Sequence, residues 1–283
     1  IFVLVTVLAA AIAPTAMAQT PSLVIDLNAG PGSSTPEELT VVGGDMFFTA
    51  DDGSVGRELW KTDGSGAGTT LVEDVNQTFI LECTALGNLL LFAATDPVNG
   101  RELWRSDGTP AGTFALTTAA PNGVQGLLVL GSDVLFRLDD LIFGAELWKS
   151  DGSPAGTQLV LDVGSSLYTI TAIGGTAYFS TDSGTAGFEP HRTDGTSAGT
   201  AMITEVWPGL NSGMGANDGA GLSGIFYFTG QDPAGRELWR TDGTAAGTWM
   251  VKDTQAGAGS GWPMGYTVSG GKLFFTADDG STG

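Results

Sequence analysis

The segment Asp63-Gly64-Ser65-Gly66-Ala67-Gly68-Thr69 recurs four more times along the chain, at 107–113, 151–157, 194–200 and 242–248. All five copies fit Asp-Gly-[Ser/Thr]-x-Ala-Gly-Thr, and the steps between their aspartates are 44, 44, 43 and 48 residues. Just upstream stands Glu-Leu-Trp, at 58–60, 102–104, 146–148 and 237–239, each time followed by Lys or Arg. In the fourth copy the triplet is Glu189-Pro190-His191. A period this long and regular requires an array of one supersecondary unit, and it narrows the available architectures more than any other property of the chain.

Each period reads as four short strands. The first, such as 38–42, runs into a Gly-rich turn (Gly43-Gly44-Asp45, Gly87-Asn88, Gly131-Ser132-Asp133, Gly174-Gly175), where Gly, Asn and Asp accept the positive φ of a tight hairpin. The second (Met46-Phe47-Phe48, 89–92, 225–228, 273–275) is apolar on both alternating sets, so both its faces are expected to be buried. An acidic loop of variable sequence leads to the third strand, 57–62, and the Asp-Gly-Thr turn leads to the fourth, 69–75. Four antiparallel strands per 43–48 residues predict an all-β chain folded as a β-propeller of four-stranded blades, since a β-sandwich lacks the period and a β-helix has a shorter one.

The ends suggest about six blades, five complete and one split between the termini. Residues 22–27 read as the fourth strand of a preceding blade, and 266–269 with 272–277 as a first and second strand. The third strand that the pattern then demands has not begun by Gly283, so the propeller region, 19–283, reads as truncated at its C-terminus. Residues 1–13 are an uncharged apolar run, followed by Pro14 and by Ala16-Met17-Ala18 before Gln19. That is the core and cleavage site of a secretory signal peptide over 1–18, too short to span a bilayer and lacking its basic flank. The expectation is a secreted or cell-surface protein with no membrane span in the mature chain.

Glu58-Leu59-Trp60-Lys61-Thr62-Asp63-Gly64-Ser65 and its copies resemble the ELWxxDGT repeat of secreted and surface-exposed bacterial proteins, over nearly all of residues 22–283. The pattern departs at Glu189-Pro190-His191 and at Ala145, which replaces the Arg of copies such as Arg57, Arg101 and Arg236. The resemblance implies export and a propeller-like repeat fold. It brings no catalytic residues.

The repeated residues have a structural reading. Asp63, Asp107, Asp151, Asp194 and Asp242 each suit an Asx-turn, closed by the Ser or Thr two residues on. Trp60, Trp104, Trp148 and Trp239 are large enough to fill the space between blades. Eight of the 11 basic residues lie in or beside the third strands, where nearby carboxylates pair with them.

Function is therefore sought in the loops that vary. The chain has 31 acidic and 11 basic residues and a formal charge of −20, which makes nucleic acid and anionic membrane surfaces poor partners. One cysteine, Cys83, excludes an internal disulfide, and one histidine, His191, leaves little for general-base or metal chemistry. Asp51, Asp52, Asp139, Asp140, Asp278 and Asp279 supply hard oxygen ligands in the loops between second and third strands, which makes Ca2+ the candidate cofactor there. Long loops after the fourth strands carry Trp207 with Asn211, and Trp262. Aromatics beside carboxylates suit an extracellular glycan or protein partner. The expected function is a non-catalytic binding, adhesion or scaffolding module. The alternative is a propeller hydrolase or lyase acting on extracellular polysaccharide with Ca2+, for which no carboxylate pair stands out.

Overall fold

The computed structural model describes residues 3–4, 21–54, 56–74, 79–96, 98–118, 123–139, 144–164, 166–182 and 184–281. Apart from one 3-10 turn at Pro110–Gly112, their regular structure is all β. Five four-stranded antiparallel sheets follow one another, at 37–73, 80–115, 123–162, 167–202 and 214–252, and a two-stranded sheet follows at 264–276. In each sheet the strands lie in chain order, so every strand pairs with the one before it through a hairpin connection. The first sheet sets the pattern: Glu37–Val42, Asp45–Asp51, Arg57–Thr62 and Thr70–Glu73. No helix among the described residues is long and apolar enough to cross a membrane.

The chain divides into two compact units, residues 1–119 and 120–283. In the first unit the first strands Glu37–Val42 and Ile80–Leu86 lie against each other. Cys83 N–H donates to Glu38 Oε2 (3.2 Å) and Thr40 Oγ1 donates to the Cys83 carbonyl (3.3 Å). The apolar layer between the two sheets holds Phe47, Leu59, Leu90 and Phe92. In the second unit the first strands Gly123–Leu130, Leu167–Ile173, Met214–Leu222 and Met264–Ser269 contact one another in succession. One core there gathers Leu135, Leu147, Ala177 and Phe179, and a second gathers Tyr178, Met214, Phe226 and Phe228. In the first sheet the second strand is buried on both faces, Phe47 against the second sheet and Phe48 beneath Val24 and Leu27.

One regular feature escapes the turn signals. In all six sheets the pairing of first and second strands slips in register, between Glu37 and Thr40, Leu81 and Thr84, Gln125 and Leu128, Tyr168 and Thr171, Met214 and Gly219, and Met264 and Thr267. Four of these bulges contain a left-handed residue: Glu38 (φ 55°), Glu82 (φ 56°), Gly126 (φ 69°) and Gly265 (φ 66°). A bulge re-aims the strand and strengthens its twist. Two copies meet the φ requirement with Gly; the other two hold a Glu there against the usual steric penalty.

Two expectations change. Residues 22–27 are not one strand: Ser22–Leu23 pairs with Val3–Leu4, while Val24 and Leu27 pack on the Phe48 and Ala50 side chains of the first sheet. The apolar side chains of this stretch are therefore satisfied by a sheet face rather than by a ladder. The tryptophans are half-buried, whereas Leu59, Leu103, Leu147 and Leu238 are the third-strand residues sealed in the core. The signal-peptide reading falls on residues 1–18, of which all but 3–4 lie outside the described residues, as does Asp140.

Candidate functional site

The Asp-Gly-[Ser/Thr]-x-Ala-Gly-Thr turn has the same bonding in all five sheets. In the second, Asp107 Oδ1 accepts from Thr109 N–H (2.9 Å) and Thr109 Oγ1 (2.6 Å). Gly112 N–H donates to Thr109 Oγ1, Thr113 Oγ1 donates to the Thr109 carbonyl, and the Ser106 and Thr113 hydroxyls meet at 2.8 Å. A Cβ on Gly112 would overlap the Asp107 carboxylate, and the same holds for Gly68, Gly156, Gly199 and Gly247 with their own aspartates. The Ser or Thr hydroxyl two residues on holds each aspartate below the usual carboxylate range. These carboxylates are occupied in shaping their own turns.

The turns also seat on the preceding sheet. At Gly108 (φ 86°) an added Cβ would stand 3.1 Å from Lys61 Nζ and 3.2 Å from the Phe47 ring. At Gly243 (φ 89°) it would stand 3.1 Å from the Tyr178 hydroxyl and 3.5 Å from Arg192 Cδ. Burial, then the charge of Asp242, pushes the Tyr178 hydroxyl up. Lys61, after Trp60, and Arg192, after His191, thus help to seat the next turn.

Other cations pair inside their sheets: Arg57 with Glu37 (3.4 Å), Lys149 with Asp133 (3.2 Å) and Arg101 with Glu82 (3.9 Å). The third sheet, which has Ala145 in place of Arg, uses Arg137 from its second strand. That guanidinium binds Asp139 (2.6 Å) and donates to the Leu167 carbonyl of the following sheet.

The glutamate of each Glu-Leu-Trp triplet, Glu58, Glu102, Glu146 and Glu237, is buried, and so is Glu189 of the Glu-Pro-His copy. Alternation alone assigns this residue to a sheet face but says nothing of its partners. Glu189 accepts the backbone N–H groups of Val206 (2.8 Å), Trp207 (3.4 Å) and Gly213 (3.1 Å). Glu237 accepts those of Thr254 (2.8 Å) and Gly261 (2.9 Å), together with the Thr254 hydroxyl. Glu102 accepts from Thr117 Oγ1, and Glu146 from Trp148 Nε1. In the second, fourth and fifth sheets the third-strand carboxylate therefore clamps the segment that leaves the fourth strand. Burial pushes Glu189 up to about 7, against the opposing pull of its three N–H donors, and Glu205 adds to the rise.

The two clamped loops carry the candidate binding residues. Trp207 is half-buried, and Asn211 is exposed with its Nδ2 donating to the Pro208 carbonyl (3.4 Å). Trp262 is 48% exposed and left-handed (φ 47°), a conformation costly for a bulky side chain. Arg236 lies over its ring, 4.4 Å from the centroid. Beside it Gly261, Trp262, Met264, Phe275, Thr276, Ala277 and Asp278 line a cavity of about 540 Å3.

The acidic candidates are otherwise engaged. Asp51 and Asp278 close Asx-turns on Gly53 and Gly280, Asp52 and Asp279 do so on Ser54 and Ser281, and Asp139 is held by Arg137. No group of three or more His, Cys, Asp or Glu side chains placed to hold a metal occurs among the described residues. His191 is buried, stacked on Phe179 (centroids 5.4 Å apart), with Nδ1 on the Glu189 carbonyl. Burial pushes the Cys83 thiol up, out of nucleophilic range at neutral pH.

No protein-family model matches the chain, and no curated protein matches it. Among solved structures, one from a structural and mechanistic analysis of two prolyl endopeptidases is 14% identical with a TM-score of 0.53. That match covers 93% of this chain and 45% of the endopeptidase, so the chain spans less than half its length. A computationally designed protein, Ika8, is 13% identical (TM-score 0.48; 87% of this chain, 69% of that one), and a puromycin hydrolase is 16% identical (TM-score 0.43; 89% and 50%). At these identities the endopeptidase likeness is one of fold.

Proposed function

We propose that this protein is an exported, non-catalytic binding or scaffolding module, a β-propeller of about six blades that holds an extracellular protein or glycan on its variable loops. Four-stranded sheets in chain order, neighbouring first strands in contact and a turn seated on the preceding sheet support the blade assignment. The apolar run before Ala16-Met17-Ala18 and the ELWxxDGT resemblance support export.

The observation that carries the reading is Trp262. A large aromatic ring is held half in solvent, at positive φ, on a loop fixed at both ends by the buried Glu237. Strain at an exposed aromatic points to display rather than packing, and a rigid loop avoids the ordering cost of binding. The chemistry fits a sugar ring or an apolar side chain laid against the indole, with acidic neighbours to take hydroxyl or cationic groups.

The test is a screen of extracellular glycans and surface proteins with the full chain, followed by Trp207→Ala and Trp262→Ala. Affinity falling roughly tenfold or more with an unchanged melt supports the reading. A partner held equally by both variants, or turnover of a polysaccharide that a single carboxylate substitution abolishes, overturns it.

A further inference from the structure

The fourth copy of the repeat departs from the others at a position that ties down the fourth strand. Leu59, Leu147 and Leu238 pair there with the fourth-strand residues Glu73, Leu161 and Lys252, and Leu103 donates its N–H to Thr117 Oγ1 (2.9 Å). Pro190 stands at that position in the fourth sheet and has no N–H to give. The ladder stops at His191 opposite Met202, and beyond it Ile203 N–H reaches the Pro190 carbonyl (2.8 Å). The segment 204–213, which carries Trp207 and Asn211, is then held to the third strand by side chains. Phe188 N–H donates to Ser212 Oγ (3.2 Å), and Glu189 accepts the N–H groups of Val206, Trp207 and Gly213.

Glu189 is fully buried, and these donors are main-chain groups rather than a cation. Charged neighbours on the surrounding elements share its sign: Glu205 on the segment itself, Asp182 at the end of the second strand, and Asp232 beside Gln231, whose N–H donates to the Gly213 carbonyl. Arg236 is taken up by Gln231 Oε1 (2.9 Å) and the Trp262 ring, and Arg192 lies against the Gly243 turn. His191 places Nδ1 on the Glu189 carbonyl, and burial holds it below the usual histidine range, in the neutral form. Trp207 and Gly213 share Glu189 Oε1, so a carboxyl protonated on Oε2 keeps both bonds.

We propose that residues 204–213 form a strap gated by the charge on Glu189, clamped while the carboxyl is neutral and released when it ionises. Clamping takes the carboxyl out of water, which penalises its charged form, and release hydrates it. Pro190 makes the strap responsive by removing a ladder bond that would hold it at any pH. The sign follows from Glu189 itself, which titrates near 7 when clamped, because of its burial, and near the ordinary 4.5 when released. The clamped form has its full advantage below about pH 4.5 and loses it as pH rises to about 7. Control of binding by this gate rests on the proposed display of Trp207, whereas the motion of the strap does not.

The experiment measures amide hydrogen exchange of the full chain, without ligand, as protection factors corrected for the intrinsic effect of pH. The Val206, Trp207 and Gly213 amides should be less protected than those of residues 145–150 at every pH, as for a local opening. Their protection should fall on the order of tenfold between about pH 5 and about pH 7. In Glu189→Gln, which stays neutral, it should be flat over that interval. Pro190→Leu, which reinstates the residue of the other sheets, should raise strap protection several-fold at pH 7. Equal protection of strap and core, a flat wild type, a Glu189→Gln variant that falls as steeply, or a Pro190→Leu strap as open as the wild type each overturns the gate. A flat strap on a chain whose partner is lost with Trp207→Ala would sink the gate and keep the display; a responsive strap with no partner at Trp207 would do the reverse.

Discussion

Glu189 and Glu237 reach the same distance along the chain: each accepts a backbone N–H 17 residues on and another 24 residues on. The loops they hold differ in sequence, so the anchor is kept while the presented residues vary. The demand falls on the second contact, where a Cβ on Gly213 or Gly261 would crowd the Glu189 or Glu237 carboxylate, while the other main-chain bonds leave the loop side chains free to vary.

Removing that anchor is expected to cost much more than an ordinary surface change. Glu237→Ala leaves the buried N–H of Gly261 and the part-buried N–H of Thr254 without their acceptor, at about 3 kcal/mol. The loss should appear as a lower melting temperature and as faster amide exchange across residues 254–262. A melt within about 0.5 kcal/mol of the wild type, the usual range for surface substitutions, would show that the clamp is dispensable.

Glu189 makes stability depend on pH. Its folded value near 7 lies above the ordinary 4.5, so over that interval the folded chain holds a proton that the unfolded chain has released. The stability from this carboxyl is full below about pH 4.5 and is lost as pH rises through about 7. The loss is on the order of 2 kcal/mol. Relative to Glu189→Gln, the wild type should therefore fall in melting temperature between about pH 5 and about pH 8. Parallel curves for the two proteins would contradict it.

The repeated turn allows a double-mutant cycle. Asp107→Ala removes the acceptor of Thr109 N–H and Oγ1, at about 1 kcal/mol, by analogy with a lost cap. Gly112→Ala forces a methyl group onto the Asp107 carboxylate and should cost more. In the double variant the clash partner is gone, so the combined loss should fall short of the sum by about 1 kcal/mol. Additive losses in thermal melts would place the glycine requirement elsewhere.

At the first-strand bulges, Glu82 occupies a left-handed position that the third and sixth sheets give to Gly126 and Gly265. Glu82→Gly should melt above Glu82→Ala by about 1 kcal/mol, since only the glycine adopts this φ without steric cost. Both variants lose the 3.9 Å pair with Arg101, which cancels in the comparison. An alanine variant equal to the glycine variant would mean that the bulge relaxes.

Much of the architecture was legible because it is written in local terms. Gly-Gly and Asp-Gly-Thr mark hairpins wherever they occur, and Phe47-Phe48 shows burial on two faces without reference to the rest of the chain. The bulge at Glu38 and Glu82 was not legible, since nothing about Glu announces a positive φ. The stretch 22–27 was misread for a related reason: an apolar alternation fits a strand, and it fits equally well a segment lying on the Phe48 and Ala50 side chains. For the site, Trp262 was found as an aromatic in a variable loop. Glu237 was passed over because its repetition suggested scaffold, and its N–H partners lie up to 24 residues away.

The closure of the Asp-Gly-Thr turn has a consequence for how such a chain changes over generations. Every bond that shapes the turn joins residues no more than seven apart, and the demand on the neighbouring sheet is small, a cation and a ring such as Lys61 with Phe47 or Arg192 with Tyr178. A period copied or deleted whole by recombination therefore arrives with its corner already specified and meets a familiar seat on either side. Gene segments of this kind multiply readily, and their loops are then free to diverge.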